Sequence, residues 1–115
     1  MTDRELLEAA AKAAGKKVHT RNQADRDACG AGDVGLWISE GQTCWNPLTD
    51  DGDALRLAVK LRLTINCSYD DVAICGQEFT QKEAFIERNG EDPLAATRRA
   101  IVRAAAEIGK EMKDD

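Results

Sequence analysis

The chain has 115 residues and a formal net charge of −5. That length suits one domain, residues 1–115, with a single modest core. The acidity argues against non-specific nucleic-acid binding, which needs a basic footprint. No apolar run approaches the roughly 20 residues that span a bilayer, and Met1 to Lys17 is charged throughout, unlike a secretory leader.

The charge is uneven. Between Pro93 and Lys113, Arg98, Arg99, Arg103, Lys110 and Lys113 stand against Glu107 and Glu111, a local +3, while residues 1–92 hold −6. The four cysteines, Cys29, Cys44, Cys67 and Cys75, form no C-x-x-C pair, and His19 is the single histidine. A structural zinc site brings close ligand pairs, so the expectation is a cytoplasmic protein with reduced thiols and neither cofactor nor metal. Cys67 and Cys75 could still face each other across a hairpin, which leaves a disulfide or zinc site open.

In chain order, Thr2-Asp3-Arg4-Glu5 has the form of a capping box. It opens a helix whose Leu6, Leu7, Ala10, Ala13 and Ala14 share one face, with Gly15 as its stop. Lys17 to Thr20 allows a short strand. Arg21 to Gly35 is polar, glycine-rich and without apolar periodicity, so it reads as a loop. Asp25-x-Asp27 opens like a calcium loop, but Cys29 and Leu36 occupy ligand positions, which excludes that site.

Val34 to Ser39 and Gln42 to Trp45 read as two strands joined at Glu40-Gly41. Leu36 and Ile38 fall on one face and Trp37 on the other. Trp37 and Trp45 suit core packing, with an exposed dimer patch as the other option. Asn46-Pro47 stops the sheet. The acidic run Asp50-Asp51-Gly52-Asp53 sits at a helix start, where carboxylates cap free amides and oppose the dipole. The same three aspartates also suggest a metal, the weaker of the two options. On the helix that follows, Ala54, Leu55, Ala58, Val59 and Leu61 occupy one arc.

Leu63 to Ser68 and Asp71 to Gly76 read as a second hairpin about Tyr69-Asp70. Leu63, Ile65 and Cys67 alternate with Thr64, Asn66 and Ser68 along its first strand. Glu78 to Ile86 is a third strand or an irregular edge. Asp92-Pro93 is an N-cap followed by proline at the first helical position. Leu94, Ile101, Ala105, Ile108 and Met112 line one face of that last helix, and Arg99, Arg103 and Lys110 a stripe roughly opposite. The expected fold is α+β: an antiparallel sheet of about five strands with three helices in the order α-ββ-α-ββ-α, packed mainly on one face.

No phosphate loop is present, and no Ser or Cys nucleophile has a recognisable base beside it. The residues therefore point to no enzyme. Two stretches, WNPLTDDGDALRLAVKL from Trp45 and DPLAATRRAIVRAAAEIG from Asp92, together with the opening TDRELLEAAAKAAG, carry a resemblance. The chain resembles a family of small uncharacterised proteins of tailed phages and prophages of proteobacteria. It is more loosely similar to NinX-like phage proteins, which share an aromatic-x-Pro turn and a terminal Asn-Pro helix. The likeness covers the first helix, the central stretch and the last helix, and little of residues 17–44 and 64–90. It implies phage origin and an accessory role in the host bacterial cytoplasm, and it brings no catalytic residues.

Two functions follow. In the first, an acidic surface binds a host protein or complex, as an inhibitor of a nucleic-acid-binding defence effector in the manner of an anti-CRISPR. Its candidate contacts are Asp25, Asp27, Asp33, Glu40, Asp70, Asp71 and Glu78. In the second, Arg98, Arg99, Arg103 and Lys110 form a nucleic-acid face on the last helix. A homodimer is compatible with either, and no membrane partner is expected.

Overall fold

A computed structural model describes residues 2–30, 35–38, 43–75 and 84–112. The element order is α1 (Asp3–Ala13), α2 (Thr20–Ala28), β1 (Leu36–Ile38), β2 (Thr43–Trp45), α3 (Asp51–Lys60), β3 (Thr64–Cys67), β4 (Asp71–Cys75), β5 (Ala84–Arg88) and α4 (Pro93–Glu111). The mixed helix-and-strand class is as expected, but the described residues hold four helices and two sheets. β1 pairs with β2, and β3, β4 and β5 form a separate antiparallel sheet with β4 in the middle.

Three helix starts follow the sequence rules. Thr2 Oγ accepts from Glu5 N while the Glu5 carboxylate reaches back to Thr2 N, which closes the capping box on α1. Asp50 caps α3 by accepting from Asp53 N at 2.7 Å. Asp92 caps α4 through Ala95 N, with Pro93 in the first turn. Each cap satisfies an amide that has no partner inside its helix.

α4 is the element on which the others are assembled. It lies over β4 and β5, and α1 and α3 pack against it. Asp3 meets Arg99 near one end of the α1 contact, and Lys12 donates to the Met112 carbonyl at the other, 2.9 Å, so α1 and α4 run parallel. Their contact uses small residues. Ala10, Ala11, Ala14, Ala104, Ala105 and Ala106 are all buried, and a Cβ on Gly109 would overlap the Ala9 carbonyl. Short side chains let two helix backbones approach closely, so each buried alanine adds contact without bulk. The larger core side chains, Leu6, Leu7, Leu36, Trp45, Leu57, Val72, Ile74 and Ile101, join the same cluster.

Several expectations need correction. Lys17 to Thr20 forms no strand; the chain is irregular from Lys16 to His19 and then enters α2, which occupies most of the stretch read as a loop. On α3 the buried residues are Ala54, Leu57 and Ala58, with Leu61 beyond the last turn, while Leu55 and Val59 are exposed at 59% and 68%. On α4, Ile101 and Ala105 are buried as expected, but Leu94 and Met112 are exposed. β3 is an edge strand exposed along its whole length, so its alternation separates no core face from a solvent face. The register places Cys67 opposite Val72 and Cys75 opposite Thr64. The two cysteines are thus at opposite ends of the hairpin, about 10 Å apart along it at the usual rise per strand residue, too far for a cross-strand pair.

The first hairpin has the expected faces: Leu36 and Ile38 are buried and Trp37 is half-buried. Trp45 is buried in the core, and the Glu40-Gly41 turn lies outside the described residues. The third strand of the second sheet is Ala84–Arg88, so it starts later than Glu78, and residues 78–83 fall outside the described set. No helix among the described residues is long and apolar enough to cross a membrane.

Candidate functional site

The acidic candidates fall on two separate elements, with no hydrogen bond or ion pair between them among the described residues. Asp25 and Asp27 lie on α2, and Asp70 and Asp71 at the β3–β4 turn; Asp33, Glu40 and Glu78 lie outside the described residues. Asp27 takes a two-pronged contact from Arg4, 2.6 and 3.3 Å, and a third bond from Gln23 Nε2 at 3.1 Å. The Arg4 guanidinium, helped by Gln23, holds its carboxyl below the usual carboxylate range. Asp71 accepts from Ser68 Oγ at 2.9 Å. Asn89 ties this turn down by donating to the carbonyls of Ser68 and Tyr69, and its own amide donates to Asp70. Asp25 and Asp70 are exposed and make no ion pair within the described residues.

The basic candidates are all paired. Arg98 bonds Asp51 at 2.6 Å and donates to the Leu48 carbonyl at 2.8 Å. Arg99 pairs with Asp3 at 3.1 Å, and Lys110 with Glu107 at 3.5 Å. Arg103 pairs with Glu87, donates to the Ile86 carbonyl, and lies over the Phe85 ring. The four charges therefore form no continuous free positive stripe.

Arg98 also explains how the central stretch and the last helix are joined. Asn46 Oδ1 accepts from Leu48 N at 3.0 Å, the Asn46 carbonyl takes the amides of Thr49 and Asp50, and Pro47 is fully buried. Asp53 accepts from Asn46 N at 3.0 Å and pairs with Arg56 at 2.8 Å. These groups are mutually satisfied, so the acidic run serves the turn and the cap. Among the described residues no group of three or more His, Cys, Asp or Glu is placed to hold a metal.

His19, the single histidine, is the N-cap of α2, with Nδ1 accepting from Asn22 N at 3.1 Å. Burial pushes the Cys44 thiol up, and the Asp53 charge adds to the shift.

A cleft of about 410 Å³ opens between the end of α1, the first hairpin and α3. Ala14, Ile38, Trp45 and Leu57 form its apolar floor, and Lys16, Arg56, Lys60, Thr43 and Asp53 stand around it. Arg56 and Lys60 lie one turn apart on α3 and Lys16 comes from the end of α1, so no single motif marks the three cations. Comparison of the chain with family models, with curated proteins and with solved structures finds no match.

Proposed function

We propose that this protein is a non-enzymatic, phage-encoded accessory protein that binds a host protein through acidic surface. Its target is a nucleic-acid-binding effector of a host anti-phage defence, whose basic groove the protein occupies in the host cytoplasm. The phage setting rests on the resemblance of the first helix, the central stretch and the last helix.

The observation that carries the binding mode is the disposition of charge. The arginines of α4 are engaged with carboxylates of α1, α3 and β5, while Asp25 and Asp70 stay exposed and unpaired within the described residues. The unspent charge of a chain at −5 is therefore negative, and it attracts a basic partner and repels nucleic acid. The nucleic-acid reading of α4 is the weaker one, because the charges of Arg98, Arg99 and Arg103 are already shared with carboxylates.

The test is a tagged pull-down from host lysate at moderate salt, with mass spectrometry of what stays bound. The expected result is one host complex retained in stoichiometric amount, released as salt rises past the Debye screening range, and weakened by Asp25→Asn with Asp70→Asn. Retention that ignores salt would remove the charge mechanism. A mobility shift of duplex DNA or RNA at low salt, lost in Arg99→Gln with Arg103→Gln, would overturn the reading in favour of nucleic-acid binding.

A further inference from the structure

We infer that the cleft between the end of α1, the first hairpin and α3 is a binding site for a small amphipathic organic anion. Such a ligand has an apolar, preferably planar body and a single carboxylate or phosphate head. The inference does not rest on the partner proposed above: Asp25, Asp27, Asp70 and Asp71, the described acidic candidates, are not among the residues that line this cleft.

Three observations point to that chemistry. The volume, about 410 Å³, lies within the range of pockets that hold small ligands. The floor is apolar and built from the core itself, with Ala14, Ile38, Trp45 and Leu57 all buried, so the shape is fixed by packing and does not have to form on binding. The third observation is charge.

Among the described residues Lys16, Arg56 and Lys60 line the cleft with one carboxylate, Asp53, and Arg56 also has the Asp50 carboxylate 3.8 Å away, so the two lysines carry the local positive charge in a protein whose net charge is −5. Arg56 is engaged by Asp53 at 2.8 Å. Lys16 and Lys60 make no ion pair among the described residues. The Lys16 ammonium stands over the Trp45 ring, 6.0 Å from its centroid. Lys60 Nζ lies 3.7 Å from where a Cβ on Gly15 would stand, which puts it by the same end of α1. Both lysines also oppose the negative ends of the helices they follow or close. That role needs no cavity beneath them, and a cavity is present.

An anion whose head meets the two ammonium groups gains charge-assisted hydrogen bonds, while its body covers the apolar floor. Head and body are each insufficient: a bare anion leaves the floor empty, and a neutral ring leaves the lysines solvated.

The experiment is a titration of the uniformly ¹⁵N-labelled full chain, followed through the two tryptophan indole signals and the backbone amides. The probes are phenyl phosphate, benzoate, inorganic phosphate and benzyl alcohol. The expected result is saturable shifts at the Trp45 indole and at Leu57 and Lys60, with phenyl phosphate or benzoate binding at least tenfold more tightly than either inorganic phosphate or benzyl alcohol, and with the Trp37 indole unmoved. Lys16→Gln with Lys60→Gln, two exposed positions, weakens the aromatic anions about tenfold or more, as loss of charge-assisted contacts demands. Raising sodium chloride from about 50 to about 500 mM weakens phenyl phosphate binding to the unaltered protein, which tests the charge contribution without any substitution. The inference is overturned by the absence of saturable shifts up to about 10 mM probe, the millimolar edge of meaningful affinity. Equal affinity for benzyl alcohol, or affinity that ignores both salt and the lysine substitutions, overturns it equally.

Discussion

Gly15 and Arg62 hold the same position in two identical helix endings. After α1, Gly15 N donates to the Lys12 carbonyl and Lys16 N to the Ala11 carbonyl; after α3, Arg62 N donates to Val59 and Leu63 N to Ala58. Both are Schellman turns, whose C′ residue is left-handed. Gly15 adopts φ +74 at little cost, whereas Arg62 is forced to φ +55 with its Cβ in place. Arg62→Gly should therefore stabilise the protein by about 0.5–1 kcal/mol, the relief of the left-handed strain less the extra freedom of the unfolded glycine. Urea denaturation measures the gain, and no change would mean that the Arg62 side chain contributes an offsetting contact.

Asp27 gives a second prediction at this scale. Its carboxyl is lowered in the folded state, first by Arg4 and then by Gln23, so its contribution to stability is complete above the unfolded carboxylate range and is lost as pH falls through the folded value. Arg4→Gln should cost most near neutrality, and the gap to the unaltered protein should close as the solution is acidified. Denaturation midpoints taken across that range test it, and a gap that stays constant would assign the effect of Arg4 to packing.

Among the elements, α2 is the one that hydrophobic periodicity could not disclose. Its single buried residue is Gln23, and it is held by polar bonds. Gln23 Oε1 accepts from Trp37 N at 2.8 Å, His19 N donates to the Trp37 carbonyl at 2.8 Å, and the Arg26 guanidinium stacks 4.3 Å from the Trp37 ring centroid. The helix thereby covers the free edge of β1, a strand edge that would otherwise expose unpaired backbone groups. Gln23→Ala should cost about 1–2 kcal/mol by stranding the Trp37 amide, with faster hydrogen exchange at that amide as the diagnostic sign. Unchanged exchange there would show that the side chain is dispensable.

By contrast α1, α3 and α4 were legible because Thr2, Asp50 and Asp92-Pro93 announce them with local chemistry. Their exposed faces were less so. Leu55, Val59 and Leu94 look like core by composition, and only the position of neighbouring elements leaves them outside. The pairing of the basic candidates was hidden for a related reason. Arg98, Arg99 and Arg103 find Asp51, Asp3 and Glu87, partners that only the tertiary fold brings near.

For the molecule as a whole, the tight seam between α1 and α4 decides whether the core closes. Gly109→Ala would drive a Cβ into the Ala9 carbonyl and against the Ala13 amide. The helices must part, and the expected loss is about 3 kcal/mol, despite a gain of about 1 kcal/mol in helix propensity. Thermal denaturation followed by far-ultraviolet circular dichroism checks this, and a variant as stable as the parent would mean that the two helices slide without loss. The seam also has a consequence in time. During synthesis α1 leaves the ribosome long before α4 exists, and Leu6, Leu7, Ala10 and Ala11 lack their main covering surface until α4, the last of the described elements, is translated. Closing so long an intervening chain costs entropy before any contact repays it. The fold is therefore completed as a single late event, and until then the nascent chain is exposed to the proteases and chaperones of the cell that makes it.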